Sequence, residues 1–488
     1  MLEDKRIHQI IEQVMSELRQ GERVRMGTAP EKIATPATPP PSPVIKHSGN
    51  LFQDVDAAVA AARTAYQQLN DLPLSIREEM IRHIRRTMRE NASVLSYEAR
   101  QETGMGRYED KIEKNLLNAN KAPGTEMLDP RAWTGDDGLT LVEFAPYGVI
   151  GSIIPSTNPT STVICNSISM VAAGNAVVFN AHPGATNCSN HTIQLVNDAI
   201  IEAGGPANLV SGLAKPTIET AQAIMAHKGI NLLTVTGGAE VVRAAMGSGK
   251  RAVCAGPGNP PVVVDETADI DQAGRDIVRG GSFDNNVICT DEKGVFVVQG
   301  VADALKAAMC RNGAVEIDLA QFDRLKKSIF KDDPPPGHHA TMNKDFIGKN
   351  ANVLLAEIGM QAGDEIRLVI VEVPPDHPLV FSEQMMPIMP IVRMPNAIEA
   401  IDLAKKSEHG FRHTAVMHSK HLDHLDRMAR VMDCSIFVKN GPSYAGLGFG
   451  GEGFCAMTIA SPTGEGITNP ISFSRIRRCT LKDSFRIV

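Results

Sequence analysis

The chain has 488 residues, more than one simple core supports, and suits two or three packed lobes. Hydrophobic residues make up 43% and charged residues 22%, the balance of a globular chain, and a net charge of −7 excludes a basic nucleic-acid footprint. No apolar run approaches the ~20 residues that cross a bilayer. Glu3, Asp4 and Glu12 interrupt any apolar stretch that would read as a secretory signal.

In chain order, Ile7, Ile10, Ile11, Val14, Met15 and Leu18 recur at helical spacing, which predicts an amphipathic helix over residues 1–20 stopped at Gly21. Residues 21–47 form a linker. Pro30, Pro36, Pro39, Pro40, Pro41 and Pro43 among Ala, Thr and Ser leave little to bury, so an extended spacer is expected. Residues 53–127 read as helical, most clearly over 57–69 and 76–90, and 140–143 alternates like a strand. Strands are expected over 149–154, 176–179, 209–212 and 232–235, separated by helices over 161–173, 187–203 and 218–226. That alternation predicts a parallel sheet covered by helices, which binds dinucleotides at the carboxyl ends of its strands. A second α/β set runs from Pro261 to about Ile459, with strands near 262–265, 295–298, 368–371 and 436–439.

Eight cysteines are scattered as Cys165, Cys188, Cys254, Cys289, Cys310, Cys434, Cys455 and Cys479, with no Cys-x-x-Cys pair. This pattern reads as reduced thiols in a cytoplasmic chain, with no metal site. Cys289, in Ser-Phe-Asp-Asn-Asn-Val-Ile-Cys289, sits between an expected helix and an expected strand, where a reactive thiol or an inert buried one are both admissible. Asn158, in Pro-Ser156-Thr157-Asn158-Pro, follows an apolar strand. Its amide can serve a developing oxyanion or simply start a turn before proline. Thr236-Gly237-Gly238 ends a strand and opens a helix, a geometry that suits a pyrophosphate and equally an ordinary tight turn. Gly256-Pro-Gly-Asn-Pro-Pro and the glycine-rich run 446–453 can line a cleft or form structural loops. Glu383 can bond a ribose hydroxyl or stand solvated.

Taken together, Pro-Ser-Thr-Asn158-Pro, His182-Pro183, Val-Thr-Gly237-Gly, Gly-Asn-Pro-Pro-Val-Val-Val-Asp265, Asn-Asn-x-Ile-Cys289 and Glu383-x-Met-Met-Pro resemble the aldehyde dehydrogenase superfamily. More narrowly they are similar to the CoA-acylating members of bacterial microcompartments, the ethanolamine- and propanediol-utilisation type. The resemblance covers roughly residue 50 to the C-terminus. It implies a Rossmann-type NAD-binding domain over 48–253, an α/β catalytic domain over 254–465, and a small β oligomerisation element that pairs segments near 132–145 with residues 466–488 in a dimer or tetramer. It implies Cys289 as nucleophile, with Asn158 and the Cys289 backbone N–H as oxyanion hole. Ser156, Thr157, His182, Pro183, Thr236, Gly237, Gly238 and Glu383 would line the cofactor site.

The activity implied is conversion of acetaldehyde or propionaldehyde, NAD and coenzyme A to acyl-CoA and NADH through a cysteine thioester. Hydrolytic relatives carry a glutamate where this chain has Ala255, so the base that would activate water is missing. A hydrolytic enzyme releasing a carboxylic acid is the alternative within the class, and a silent microcompartment assembly component the alternative outside it. Residues 1–20 resemble peptides that dock enzymes onto a microcompartment shell or core protein, which implies a cytoplasmic location inside such a body.

Overall fold

The structure, a computed structural model, describes residues 39–40, 45–46 and 49–488. The helix expected over 1–20 and most of the linker lie outside the described residues.

The first sheet is parallel throughout, in the order Leu51–Phe52, Val210–Leu213, Ala176–Asn180, Val149–Ile153, Leu232–Thr236, Ala252–Ala255. The four central strands are wholly buried, which is why they read as apolar runs instead of alternating ones. From Val149–Ile153 the chain steps outward on one side and then returns to the other through Leu232–Thr236. The crevice between those two strands is therefore the topological switch point, where an open α/β sheet presents its ligand site. The sheet extends to Ala255, so the boundary expected after residue 253 falls inside its last strand.

Helices fall close to the expected positions. Val55–Asn70 is started by Asp54, which accepts from the Ala57 N–H at 2.8 Å. Pro159–Ala172 begins with proline in its first turn, where the missing N–H costs nothing, and is buried on every side. Residues 53–127 resolve into four helices, Val55–Asn70, Ser75–Glu90, Ala92–Thr103 and Tyr108–Lys121.

The second sheet is also parallel, in the order Ala314–Ile317, Leu368–Glu372, Ile388–Met394, Gly294–Val298, Pro261–Val264, Thr414–His418, Ile436–Lys439. A third, antiparallel sheet pairs Ser474–Lys482 with Gly138–Pro146, and that strand with Arg131–Gly135. Its surface leaves Trp133, Ile476 and Leu481 exposed.

Asn175 joins this small sheet to the first. Its Oδ1 accepts from the N–H groups of Tyr147 and Gly148 at 2.7 and 3.1 Å, and its Nδ2 donates to the carbonyls of Met170 and Phe473 at 3.2 and 3.0 Å. Truncation removes a partner from each of these backbone groups, and among the described residues only the Met170 carbonyl keeps another, the Asn175 N–H at 3.0 Å. Asn175→Ala is expected to cost about 2 kcal/mol or more, read as a fall in thermal midpoint; an unchanged midpoint would contradict the assigned role.

Candidate active site

Three of the candidate segments follow the carboxyl ends of adjacent strands in the first sheet. Ser156 and Thr157 are half-buried after Val149–Ile153, and Asn158 is buried at the N-cap of Pro159–Ala172. Asn158 makes no side-chain cap bond. Instead its Oδ1 accepts from Lys114 Nζ at 2.8 Å, and its Nδ2 lies 3.2 Å from Thr157 Oγ1.

Thr236 ends the neighbouring strand, and Gly237 and Gly238 follow it. Thr236 Oγ1 lies 2.9 Å from Thr458 Oγ1, which donates to Asn166 Oδ1 at 3.1 Å. Gly238 caps the helix Ala239–Met246 with no side-chain bond, and a Cβ there would meet nothing within 4 Å. Uncapped N–H groups beside open space fit the phosphates of a dinucleotide. His182 and Pro183 are exposed after Ala176–Asn180. The His182 Nδ1 accepts from Gly184 N–H at 3.0 Å, and partial desolvation of the ring, together with Lys344, holds it below the ordinary histidine range.

Cys289 is placed by a strained turn. The helix Ile270–Ser282 ends, and Asp284, Asn285 and Asn286 adopt φ of +46°, +57° and +66° in succession. Left-handed backbone costs each roughly 1–2 kcal/mol, so the turn survives only because its side chains are fixed from outside. Asp284 accepts from the Arg107 N–H at 2.9 Å and from Lys111 Nζ at 3.0 Å, and it also pairs with Lys114 Nζ. Asn285 Nδ2 donates to Gly348 O and Asn350 Oδ1 at 2.9 and 2.7 Å. Asn286 Nδ2 donates to the carbonyls of Gly281 and Glu292 at 2.8 and 2.9 Å. Lys293 Nζ then closes the turn onto Asn286 O, Asn286 Oδ1 and Ile288 O at 2.8, 2.6 and 3.3 Å.

Half-buried Cys289 follows. Its carbonyl packs so closely on Gly258 that a Cβ there would sit 2.7 Å from it and 3.1 Å from the His413 ring. Gly258 N–H donates to Glu383 Oε1 at 3.4 Å. The glycine-rich segment around residue 258 thus shapes the wall beside the cysteine by close backbone approach. In the run 446–453, the Gly448 and Gly451 carbonyls are held by Lys121 Nζ at 2.5 and 2.8 Å.

Burial pushes the Cys289 thiol up to about 12, with Glu383 and Asp291 adding to the effect and Lys293 opposing it. A lowered thiol would assist attack; this arrangement instead holds a neutral thiol, and Lys293 is the nearby cation that favours the thiolate. Burial also raises Glu383, against Lys293 and the Gly258 N–H. His413 is pushed down to about 4 by burial and then by Lys293, and its Nε2 is buried without a hydrogen-bond partner among the described residues.

The other thiol near the catalytic motifs, Cys254, is fully buried in the first sheet and raised to about 11 by burial and Glu465. Beside it Ala255 is buried and offers a methyl group. Among the described residues no group of three His, Cys, Asp or Glu side chains could hold a metal ion, and no helix is long and apolar enough to cross a membrane.

Sequence reasoning missed Lys114, Asp284, Lys293 and His413. The readable trace was Asp284-Asn285-Asn286, three residues of the non-glycine types that best tolerate left-handed backbone.

The sequence pattern of the aldehyde dehydrogenase family matches residues 35–328. The acetylating acetaldehyde dehydrogenase EutE of Salmonella typhimurium is 49% identical over 443 residues, 91% of this chain and 94% of that protein. A propionaldehyde dehydrogenase from the fucose-utilisation bacterial microcompartment of Clostridium phytofermentans superposes with a TM-score of 0.87 at 44% identity, covering 90% of this chain and all (100%) of that one. The Rhodopseudomonas palustris propionaldehyde dehydrogenase, solved with bound CoA and an acylated cysteine, gives 0.87 at 46% identity over 90% of this chain and 99% of that one. With the parallel sheets, the switch-point crevice and the cysteine turn in place, this likeness makes the chain a member of the aldehyde dehydrogenase family.

Proposed function

We propose that the chain is a CoA-acylating aldehyde dehydrogenase, converting acetaldehyde or propionaldehyde to the acyl-CoA with NAD as oxidant. The observation that carries this reading is likeness over nine-tenths of the chain to an enzyme caught with CoA and an acylated cysteine.

Cys289 attacks the aldehyde carbon, and the Asn158 amide with the Cys289 backbone N–H stabilises the oxyanion. The thiol must give up its proton on attack. Glu383, whose charge acts on the thiol, and His413, whose ring borders Gly258 beside the Cys289 carbonyl, would serve as acceptors. NAD, when bound, would supply the hydride acceptor that oxidises the aldehyde carbon to the acyl level. Thr236, Gly237 and Gly238 would hold its phosphates, with Ser156, Thr157, His182, Pro183 and Glu383 completing the site. The acyl group is left as a thioester on Cys289. Coenzyme A sulfur exchanges with it, one thioester for another, and no base is needed to activate water. Ala255 supplies none.

The first sheet with its helices serves as NAD-binding domain and the second as catalytic domain. The exposed apolar side chains of the three-stranded sheet support a role for it in self-association. Residues 1–20 and their proline linker support a cytoplasmic location inside a bacterial microcompartment, docked through that helix to a shell or core protein.

Three measurements test this. Iodoacetamide capture of Cys289 in the free protein should accelerate about tenfold per pH unit from about pH 7 to about pH 9, because only thiolate reacts; a plateau in that window would mean the thiol is not raised. Cys254 should stay unmodified. Mixing protein, NAD and aldehyde without CoA should release about one NADH per active site and then stall, with turnover resuming on addition of CoA and absent in Cys289→Ala. Sustained NADH production with free acid as product would instead establish the hydrolytic enzyme. Removal of residues 1–20 should leave turnover intact and abolish packaging; lost turnover or unchanged packaging speaks against the docking role.

A further inference from the structure

An asparagine can stabilise an oxyanion with one end of its amide and would repel it with the other. Something must therefore fix which end of Asn158 faces the reacting carbon. An ammonium group has three donors and no acceptor. Lys114 Nζ, 2.8 Å from Asn158 Oδ1, is such a group, and it settles the orientation on chemical grounds: the oxygen must face the lysine and the nitrogen must face away. Thr157 Oγ1 lies 3.2 Å from that nitrogen, which leaves its second N–H for the site.

Lys114 is itself locked. Its side chain is 3% exposed, and its remaining donors go to Asp284, which is 0% exposed, and to the Thr157 carbonyl at 3.5 Å. Asp284 belongs to the turn that ends at Cys289. One ammonium therefore touches the amide on one side and the nucleophile's turn on the other.

We propose that Lys114 is a positioning residue that aims the Asn158 amide and holds it in register with the Cys289 turn. It touches neither substrate nor cofactor. The inference rests on Asn158 being the oxyanion donor, as proposed above. Without Lys114 the amide is free to rotate, and its carbonyl can face the oxyanion. Lys111, 3.0 Å from Asp284, keeps the buried carboxylate compensated when Lys114 is removed.

The test is a double-mutant cycle on the rate of the NADH burst with full-length protein. Asn158→Ala should slow the burst by about 10²–10³-fold. Lys114→Met should slow it by about tenfold or more while the aldehyde KM changes less than about twofold, since the loss is confined to the transition state. The double variant should be no slower than Asn158→Ala, because the lysine acts through the asparagine. A Lys114→Met burst within about twofold of the parent, or a penalty that multiplies in the double variant, would overturn the inference. An undiminished burst in Asn158→Ala would overturn the oxyanion reading itself, a separate outcome. Should Lys114→Met not fold, Lys114→Gln keeps a donor without the charge. Its burst should lie within about tenfold of the parent, and one as slow as Asn158→Ala would overturn the inference.

Discussion

Asp284 is a carboxylate where water does not reach. Stripping such an ion of its hydration costs several kcal/mol, and the structure meets that cost with two lysines and a backbone N–H. Burial alone would raise its proton affinity, yet Lys111 and Lys114 hold it below the ordinary carboxylate range. Lys111 bears the complementary strain, drawn down to about 8 by burial. Much else follows. A Cβ on Gly106 would sit 1.9 Å from Asp284 Oδ1, so only glycine fits there. The left-handed turn is tolerated because it is fastened at the carboxylate, and Cys289 emerges from that turn at a fixed height against Gly258.

The same cluster links parts of the chain that are distant in sequence. Lys111 and Lys114 lie on Tyr108–Lys121, which packs on the buried helix that Asn158 caps, while Asp284 leads from a helix against the second sheet. Asn158 and the turn that carries Cys289 thus come from different layers and meet through one charged contact. Gly348 adds a neutral tie of the same kind. Its carbonyl accepts from Gly106 N–H and Asn285 Nδ2, and its N–H donates to Met385 O, two residues past Glu383.

The parallel strands were legible because strands buried on both faces spell short apolar runs between turn residues. Ile388–Met394 was not, since Pro390 inside it argues against a central strand. Ala252–Ala255 and Ala314–Ile317 are too short and too mixed to stand out from their surroundings. In the site, Cys289 and Asn158 emerged from the order of several motifs; read locally, each resembled an ordinary residue of its type. Lys111, Lys114 and Lys293 gave no sign, because lysine is almost always solvated and an i, i+3 pair of charges reads as an outer helix face. Burial of a charge is decided by partners that arrive from elsewhere in the chain.

The burial of that charged contact has a consequence for how the protein responds to its surroundings. Added electrolyte weakens ion pairs it can reach, such as the exposed Arg82–Glu79 pair on the outer helix. It has no access to Lys111, Lys114 and Asp284. The Lys114–Asn158 contact is therefore insulated from ionic strength, whereas the approach of coenzyme A, a polyanion, to a chain of net charge −7 is not. Salt acts on this protein at the stage of encounter and leaves the buried charge cluster untouched.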